Sequence, residues 1–309
     1  MIRSVTVSAP GSIMITGEHA VVHGYVAIVA AIDQRISVTV TRRSDRHLRL
    51  NSDIAPMHEC SLDTLDPQGP YRFVLAAISL WKDRLTHGLD INIVSQINPT
   101  LGLGSSAAVT VSILAALAKL ADQQDLKLLH AQALGVIRDL QGRGSGADLA
   151  ASIHGGALAY RWHHATHAAE IAALPMQPKL SLHNVGYKTP TAEVLRRVAE
   201  ARVGKEPFYD SLYHQMGQTA QRTVDALRDG DWETAGAQLS EYQDHLRNLG
   251  VSDPEIERWV DIAKKTPGII SAKISGSGLG DCVLAVGGVP EGFVPVTVAE
   301  QGLVIHDQA

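Results

Sequence analysis

The residues of this chain best suited to chemistry lie in three glycine-rich stretches and at one aspartate. The central stretch reads Pro99-Thr100-Leu101-Gly102-Leu103-Gly104-Ser105-Ser106-Ala107-Ala108. Glycines at 102 and 104 let the backbone turn tightly and bring its amides close to a ligand. A helix starting after them adds the positive end of its dipole, and loop and helix together make a phosphate cradle. A hydroxyl at Ser105 or Ser106 can cap that helix or reach a Mg2+ ion beside the phosphates. A simple strand-to-helix turn is the alternative reading of the same residues. Gly102-x-Gly104-x-x-Ala107 also fits the loose dinucleotide pattern, but the element expected next is another helix rather than a parallel strand. The Walker lysine is absent, so the loop is not a P-loop.

The first stretch, Ala9-Pro10-Gly11-Ser12 through Gly17-Glu18-His19-Ala20-Val21-Val22-His23-Gly24, sets Glu18 and His19 among apolar neighbours. A charge in such company needs a partner or a ligand. The third, Lys273-Ile274-Ser275-Gly276-Ser277-Gly278-Leu279-Gly280-Asp281-Cys282, is by itself an ordinary hairpin turn. Asp148 follows Ser145-Gly146-Ala147 and precedes an apolar run ending at Gly155-Gly156. Taken alone, it serves equally well as a general base or as the N-cap of a short helix over 149–153.

Period-two alternation predicts strands over 4–9, 36–41 and 89–95, and helical spacing predicts helices over 71–84, 105–120 and 126–140. The central stretch therefore joins a strand to a helix. A strand over 157–162 closes this half. Beyond it come a strand over 180–185, helices over 191–201, 208–228, 232–249 and 254–265, and strands over 269–274 and 282–286. Residues 163–177 read as an irregular linker, which places domains at 1–168 and 169–309 with a cleft between them. The class is α+β.

Bulk properties exclude several functions. The net charge of −5 offers no basic field for nucleic acid or anionic membrane. Runs such as 26–32 and 107–117 are too short to span a bilayer, and the N-terminus lacks a signal peptide's apolar stretch. Two cysteines, Cys60 and Cys282, are too few for a disulfide framework, and the cytoplasm is the expected compartment. His163, His164 and His167 have no fourth ligand at a suitable spacing and do not make a metal site. A small-molecule ligand is the partner expected, with a homodimer left open.

In order and spacing the three stretches resemble the motifs of the galactokinase–homoserine kinase–mevalonate kinase–phosphomevalonate kinase (GHMP) superfamily, and the resemblance spans the whole chain. It implies a two-domain GHMP kinase fold, with an N-terminal ribosomal S5 domain 2-like α/β domain and a C-terminal ferredoxin-like domain. ATP and Mg2+ are the implied cofactors. The matching nucleotide residues are Pro99, Leu101, Gly102, Leu103, Gly104, Ser105, Ser106 and Ala107, with Ser106 the metal ligand. Asp148 aligns with the aspartate that orients or deprotonates the acceptor hydroxyl. Glu18, His19, Thr189, Gly276, Ser277 and Gly278 match positions on the substrate side.

Within the superfamily, Gly17–Gly24 looks most like the mevalonate kinases, which implies phosphorylation of the mevalonate hydroxyl. Gly280-Asp281-Cys282 looks instead like the phosphomevalonate kinases. The alternatives are phosphomevalonate, a sugar, or a catalytically silent nucleotide sensor. Two positions depart from the pattern. The family's second metal carboxylate falls on Ile137, with Asp139 two residues on as a substitute. The lysine expected after Pro-Gly is Ser12, leaving Lys188 and Lys273 as cations to take its place.

Overall fold

The computed structural model describes residues 3–123, 126–176 and 178–306; Met1 and Ile2 of the alternating N-terminus and Gln177 of the 163–177 segment lie outside them. The chain opens with two long antiparallel strands, β1 (Ser4–Thr16) and β2 (Ala27–Arg42), joined through a 3-10 turn at Ala20–His23. The alternation seen in sequence faces Val5, Val7 and Ala9 inward against Ile36, Val38 and Val40. β1 runs on past residue 9 because a bulge at Pro10/Gly11 absorbs the proline without ending the strand. Residues 27–32 are buried on both strand faces, which is why they read as a continuous apolar run rather than an alternating one.

The other strands gather around β2. β3 (His47–Ser52) runs parallel to β5 (Leu89–Ser95), β4 (His58–Ser61) forms one edge, and α1 (Arg72–Trp81) lies between β4 and β5 in the chain. The helices α2 (Ser105–Leu120), α3 (Leu126–Gln141) and α4 (Ala147–His154) complete the layer, with α2 and α4 packed directly on β1 and β2. β6 (Ala157–His163) pairs with the first half of β2.

Residues 168–174, expected in an irregular linker, form strand β7 (Ala168–Leu174), a hairpin partner of β6. The division expected at 168/169 thus falls at the first residue of a strand belonging to the first sheet.

A second, four-stranded antiparallel sheet follows, in the order β11-β8-β10-β9. Its strands are β8 (Leu180–Lys188), β9 (Ser271–Ser275), β10 (Gly280–Val286) and β11 (Val294–Val296). Between β8 and β9 come α5 (Thr191–Arg202), α6 (Glu206–Arg228), α7 (Trp232–Leu249) and α8 (Pro254–Lys265). α7 and α8 pack on this sheet, whereas α6 pairs with α7 and also touches β2, β7 and the 3-10 turn. The final strand, β12 (Val304–His306), returns to β1 in the first sheet. No helix among the described residues is long and apolar enough to cross a membrane.

Candidate active site

A cleft of about 900 Å³ opens where the loop before α2 meets the start of α4, the turn after β1 and the turn between β9 and β10. The loop is built by backbone conformation. Gly102 and Gly104 both sit at φ 61°, in the left-handed region that a side chain disfavours. A Cβ on Gly104 would stand 2.2 Å from Ser12 Oγ, and one on Gly102 would stand 2.5 Å from Asp281 Oδ1. Glycine is thus required twice, once by each element packed against the loop. The Ser12 amide donates to Leu103 O at 3.1 Å, tying the loop to β1. Gly104 itself is the N-cap of α2 and no side chain caps the helix, so Ser105 and Ser106 do not cap it. They line the cleft instead, at the open end of α2, where the Ala107 and Ala108 amides already bond to Gly104 O and those of Ser105 and Ser106 are left for a ligand.

Asp148 is not a cap either. α4 begins at Ala147 with Gly146, at φ 89°, as its N-cap, so Asp148 lies inside the first turn. The Gly146 bend is held from both sides: His130 Nε2 donates to Gly146 O at 3.0 Å, and the Tyr160 hydroxyl donates to Ser145 O at 2.6 Å. This fixes the direction of the Asp148 side chain, whose Oδ1 accepts from Ser12 Oγ at 2.8 Å. Burial raises the Asp148 carboxyl above its ordinary value, while the Ser12 hydroxyl and the charge of Lys188 oppose the rise. A carboxylate with a raised pKa, lining a cleft, has the properties of a general base.

Glu18 and His19 line the same cleft, and both are buried. Glu18 Oε1 meets Lys273 Nζ at 2.5 Å, with side chains 3% and 1% exposed. Lys273 also donates to Ile274 O and lies 5.6 Å from the centre of the Tyr242 ring. The Tyr242 hydroxyl donates to Glu18 O at 2.8 Å. Desolvation pushes the Glu18 carboxyl up and the Lys273 amine down, each opposed by the attraction of the other. The pair locks the turn after β1 onto β9. Lys273 is therefore committed and does not replace the missing lysine. His19, held at φ 61°, donates from Nε2 to Ser277 O at 2.9 Å and so joins the first motif to the third.

The sequence-predicted residues fall into two groups. Pro99, Gly102, Leu103, Gly104, Ser105, Ser106, Ala107, Asp148, Glu18, His19, Gly276 and Ser277 line one cleft. Leu101 instead turns into the core at 3% exposure, and Gly278 packs against Val251, whose carbonyl is 2.3 Å from where a Cβ would stand. Thr189 is not a lining residue, although its neighbours Lys188 and Pro190 are. Asp139 does not reach the cleft. Ile137 on the same helix does, and two residues along a helix is a rotation of about 200°, which turns Asp139 outward to an exposed position.

Sequence reasoning missed Ser12 as a partner of Asp148, the Glu18–Lys273 pair, and Asp281. It also missed the lining by Ile54, Ala55, Tyr71 and Phe73 beside the loop. The signal available for Asp281 was a charged residue directly after the glycines of the third motif.

Known proteins resemble this chain over most of its length. The family described as GHMP kinases N terminal domain matches residues 72–156, and GHMP kinases C terminal matches 223–288. The galactokinase galactose-binding signature matches 3–42. A mevalonate kinase of Archaeoglobus fulgidus is 34% identical over 304 residues, which is 97% of this chain and 99% of that protein. The chain belongs to the GHMP kinase family. A mevalonate kinase of Aeropyrum pernix is 31% identical, over 93% of this chain and 89% of its own. In fold, the Lin0012 protein of Listeria innocua superposes with a TM-score of 0.86 at 21% identity, covering 99% of this chain and 100% of its own. The two-domain α+β architecture is thus the GHMP kinase fold, and the chain is a kinase of that family.

Proposed function

We propose that this kinase transfers the γ-phosphoryl group of ATP to the hydroxyl of mevalonate. The observation that carries the reading is the Ser12–Asp148 hydrogen bond of 2.8 Å directly beneath the Gly102–Ala107 cradle. Ser12 holds one carboxylate oxygen, Oδ1, and the acceptor proton passes to the other, Oδ2. The acceptor oxygen forms its bond to the γ-phosphorus as the bond to the bridging oxygen breaks, and ADP leaves. Such a transfer needs positioning and charge stabilisation more than a strong base. The first-turn amides of α2 supply part of that stabilisation at the phosphates.

The residues present fit a Mg2+ ion. Magnesium takes one or two protein oxygens and fills its shell with phosphates and water. Ser106, lining the cradle, offers such an oxygen, and no group of three or more His, Cys, Asp or Glu among the described residues forms a closed cage. Bound there, the ion would neutralise charge developing on the phosphates.

Mevalonate is favoured as acceptor by the relatives named above and by the cleft wall. Val21, Val22, Leu140 and Leu195 give apolar surface, with Arg143 and His19 as polar partners, which suits a small branched hydroxy acid. The galactose-binding signature over 3–42 favours a sugar as the second reading. Asp148→Asn tests the mechanism. Loss of the base lowers kcat about 10²–10⁴-fold with ATP affinity within a few fold. A variant that keeps wild-type kcat would remove Asp148 from the chemistry.

A further inference from the structure

The cleft holds a carboxylate that the mechanism above does not use. Asp281, the second residue of β10, is 8% exposed and sits at φ 71°, a left-handed conformation that a non-glycine residue holds only where its surroundings impose it. Its Oδ1 lies 2.5 Å from where a Cβ of Gly102 would stand, and this oxygen has no hydrogen-bond partner. A negative group pressed on the phosphate loop opposes the ligand that the loop is shaped for, unless a cation balances it. Its other oxygen, Oδ2, meets Lys188 Nζ at 3.0 Å.

Lys188 ends β8, opposite Gly280 in the register of β8 and β10. The same strand reaches the loop a second time, where Asn184 Nδ2 donates to Thr100 O. A contiguous chain of contacts therefore runs Lys188–Asp281–Gly102, along the loop to Gly104, and on through Ser12 to Asp148. The charge of Lys188 also acts on the Asp148 carboxyl, holding it down against the effect of burial.

Arg72 and Arg143 also line the cleft, but neither is joined to the phosphate loop through a buried carboxylate as Lys188 is. Lys273 is buried against Glu18. Arg72 stacks over Phe73 at 4.8 Å and donates to Gly69 O. Arg143 is exposed on the stretch before Gly146. Lys188 has a side chain 54% exposed, so its amine is free to swing into the cleft, yet its resting position is set by a partner that is 11% exposed.

We propose that Lys188 is a catalytic residue of this kinase that contacts the transferred phosphoryl group, with Asp281 as the positioning residue that delivers it from β8. Lys188, anchored by Asp281, brings to the cleft the ammonium group that Ser12 cannot supply. The inference rests on the phosphoryl-transfer reading of the site, and its test is chosen so that the two fail separately.

Lys188→Met is expected to lower kcat about 10²–10³-fold, the loss seen when one preorganised charge-stabilising group is removed. ATP affinity stays within about fivefold, because the interaction is made mainly in the transition state. Added methylammonium or ethylammonium restores part of the turnover. Lys188→Arg and Asp281→Asn keep more activity than Lys188→Met. In a carboxyl-carbon NMR titration, Asp148 titrates at higher pH in Lys188→Met than in the wild type, whatever the acceptor. A kcat within about threefold of wild type, or an unmoved Asp148 titration, overturns the proposal. A wild-type chain that phosphorylates no acceptor while Asp148 still responds to Lys188 would instead overturn the function and leave the pairing standing.

Discussion

Replacing Lys273 with methionine strands the Glu18 carboxylate where almost no water reaches it. The two side chains are 1% and 3% exposed and meet at 2.5 Å. Glu18 Oε2 has no partner even in the intact pair, and with the amine lost only the backbone N–H groups of Glu18 and Gly276 remain to offset the buried charge. Breaking a buried pair on one side costs about 3–5 kcal/mol. Uptake of a proton by Glu18, whose carboxyl burial already raises, holds the loss near the lower end, about 3 kcal/mol. With an unfolding entropy of about 2.1 cal/mol/K per residue over 309 residues, Tm falls by about 5 °C. Calorimetry and urea unfolding read this directly. Glu18→Gln combined with Lys273→Met removes both charges and should recover most of the loss. A single variant within about 1 kcal/mol of wild type, or a double variant no better than the single, would refute the account of Glu18 as an anchored structural group.

Two further perturbations address the cradle and the base. Gly104→Val puts a branched side chain 2.2 Å from Ser12 Oγ at φ 61°, and nucleotide binding measured by titration calorimetry should be lost; parent-level affinity would make the loop only a connector. Ser12→Ala removes the 2.8 Å donor to Asp148. Burial already raises this carboxyl, so wild-type turnover should fall as pH drops through a value above the ordinary carboxylate range. Without the hydroxyl that opposes the rise, the acidic limb of the kcat profile moves to higher pH and kcat near neutrality drops about tenfold. An unmoved acidic limb would separate Ser12 from the base.

The parts of the site that were legible in the sequence are those where only one residue type fits. Gly102 and Gly104 announce themselves because a left-handed backbone in close contact with Asp281 and Ser12 admits no side chain. The long helices α6, α7 and α8 were equally plain, since apolar spacing over 12 to 23 residues outweighs local noise. What failed was local chemistry with two uses. Ser105 and Asp148 are both good caps by type, yet Gly104 and Gly146 take the cap positions and free those side chains for the cleft.

Pairings across the chain left no signal at all. Glu18 and Lys273 lie 255 residues apart and Ser12 and Asp148 136 apart, so neither pair follows from spacing. Strand β7, with four alanines in seven residues, lacks the β-branched run that marks a strand and is specified by its partner β6. Three-residue β12 is too short for any periodicity, and only its register on β1 identifies it.

Phosphoryl transfer from ATP to mevalonate stands or falls on acceptor specificity. Purified chain with Mg2+ and ATP is offered mevalonate, phosphomevalonate and galactose separately. Phosphorus NMR follows the new phosphate ester, and kcat/KM is measured for each acceptor. One ADP is expected per phosphorylated mevalonate, with kcat/KM for mevalonate above those for the other two. A larger kcat/KM for phosphomevalonate or galactose would contradict it, as would tight ATP binding with no transfer to any acceptor.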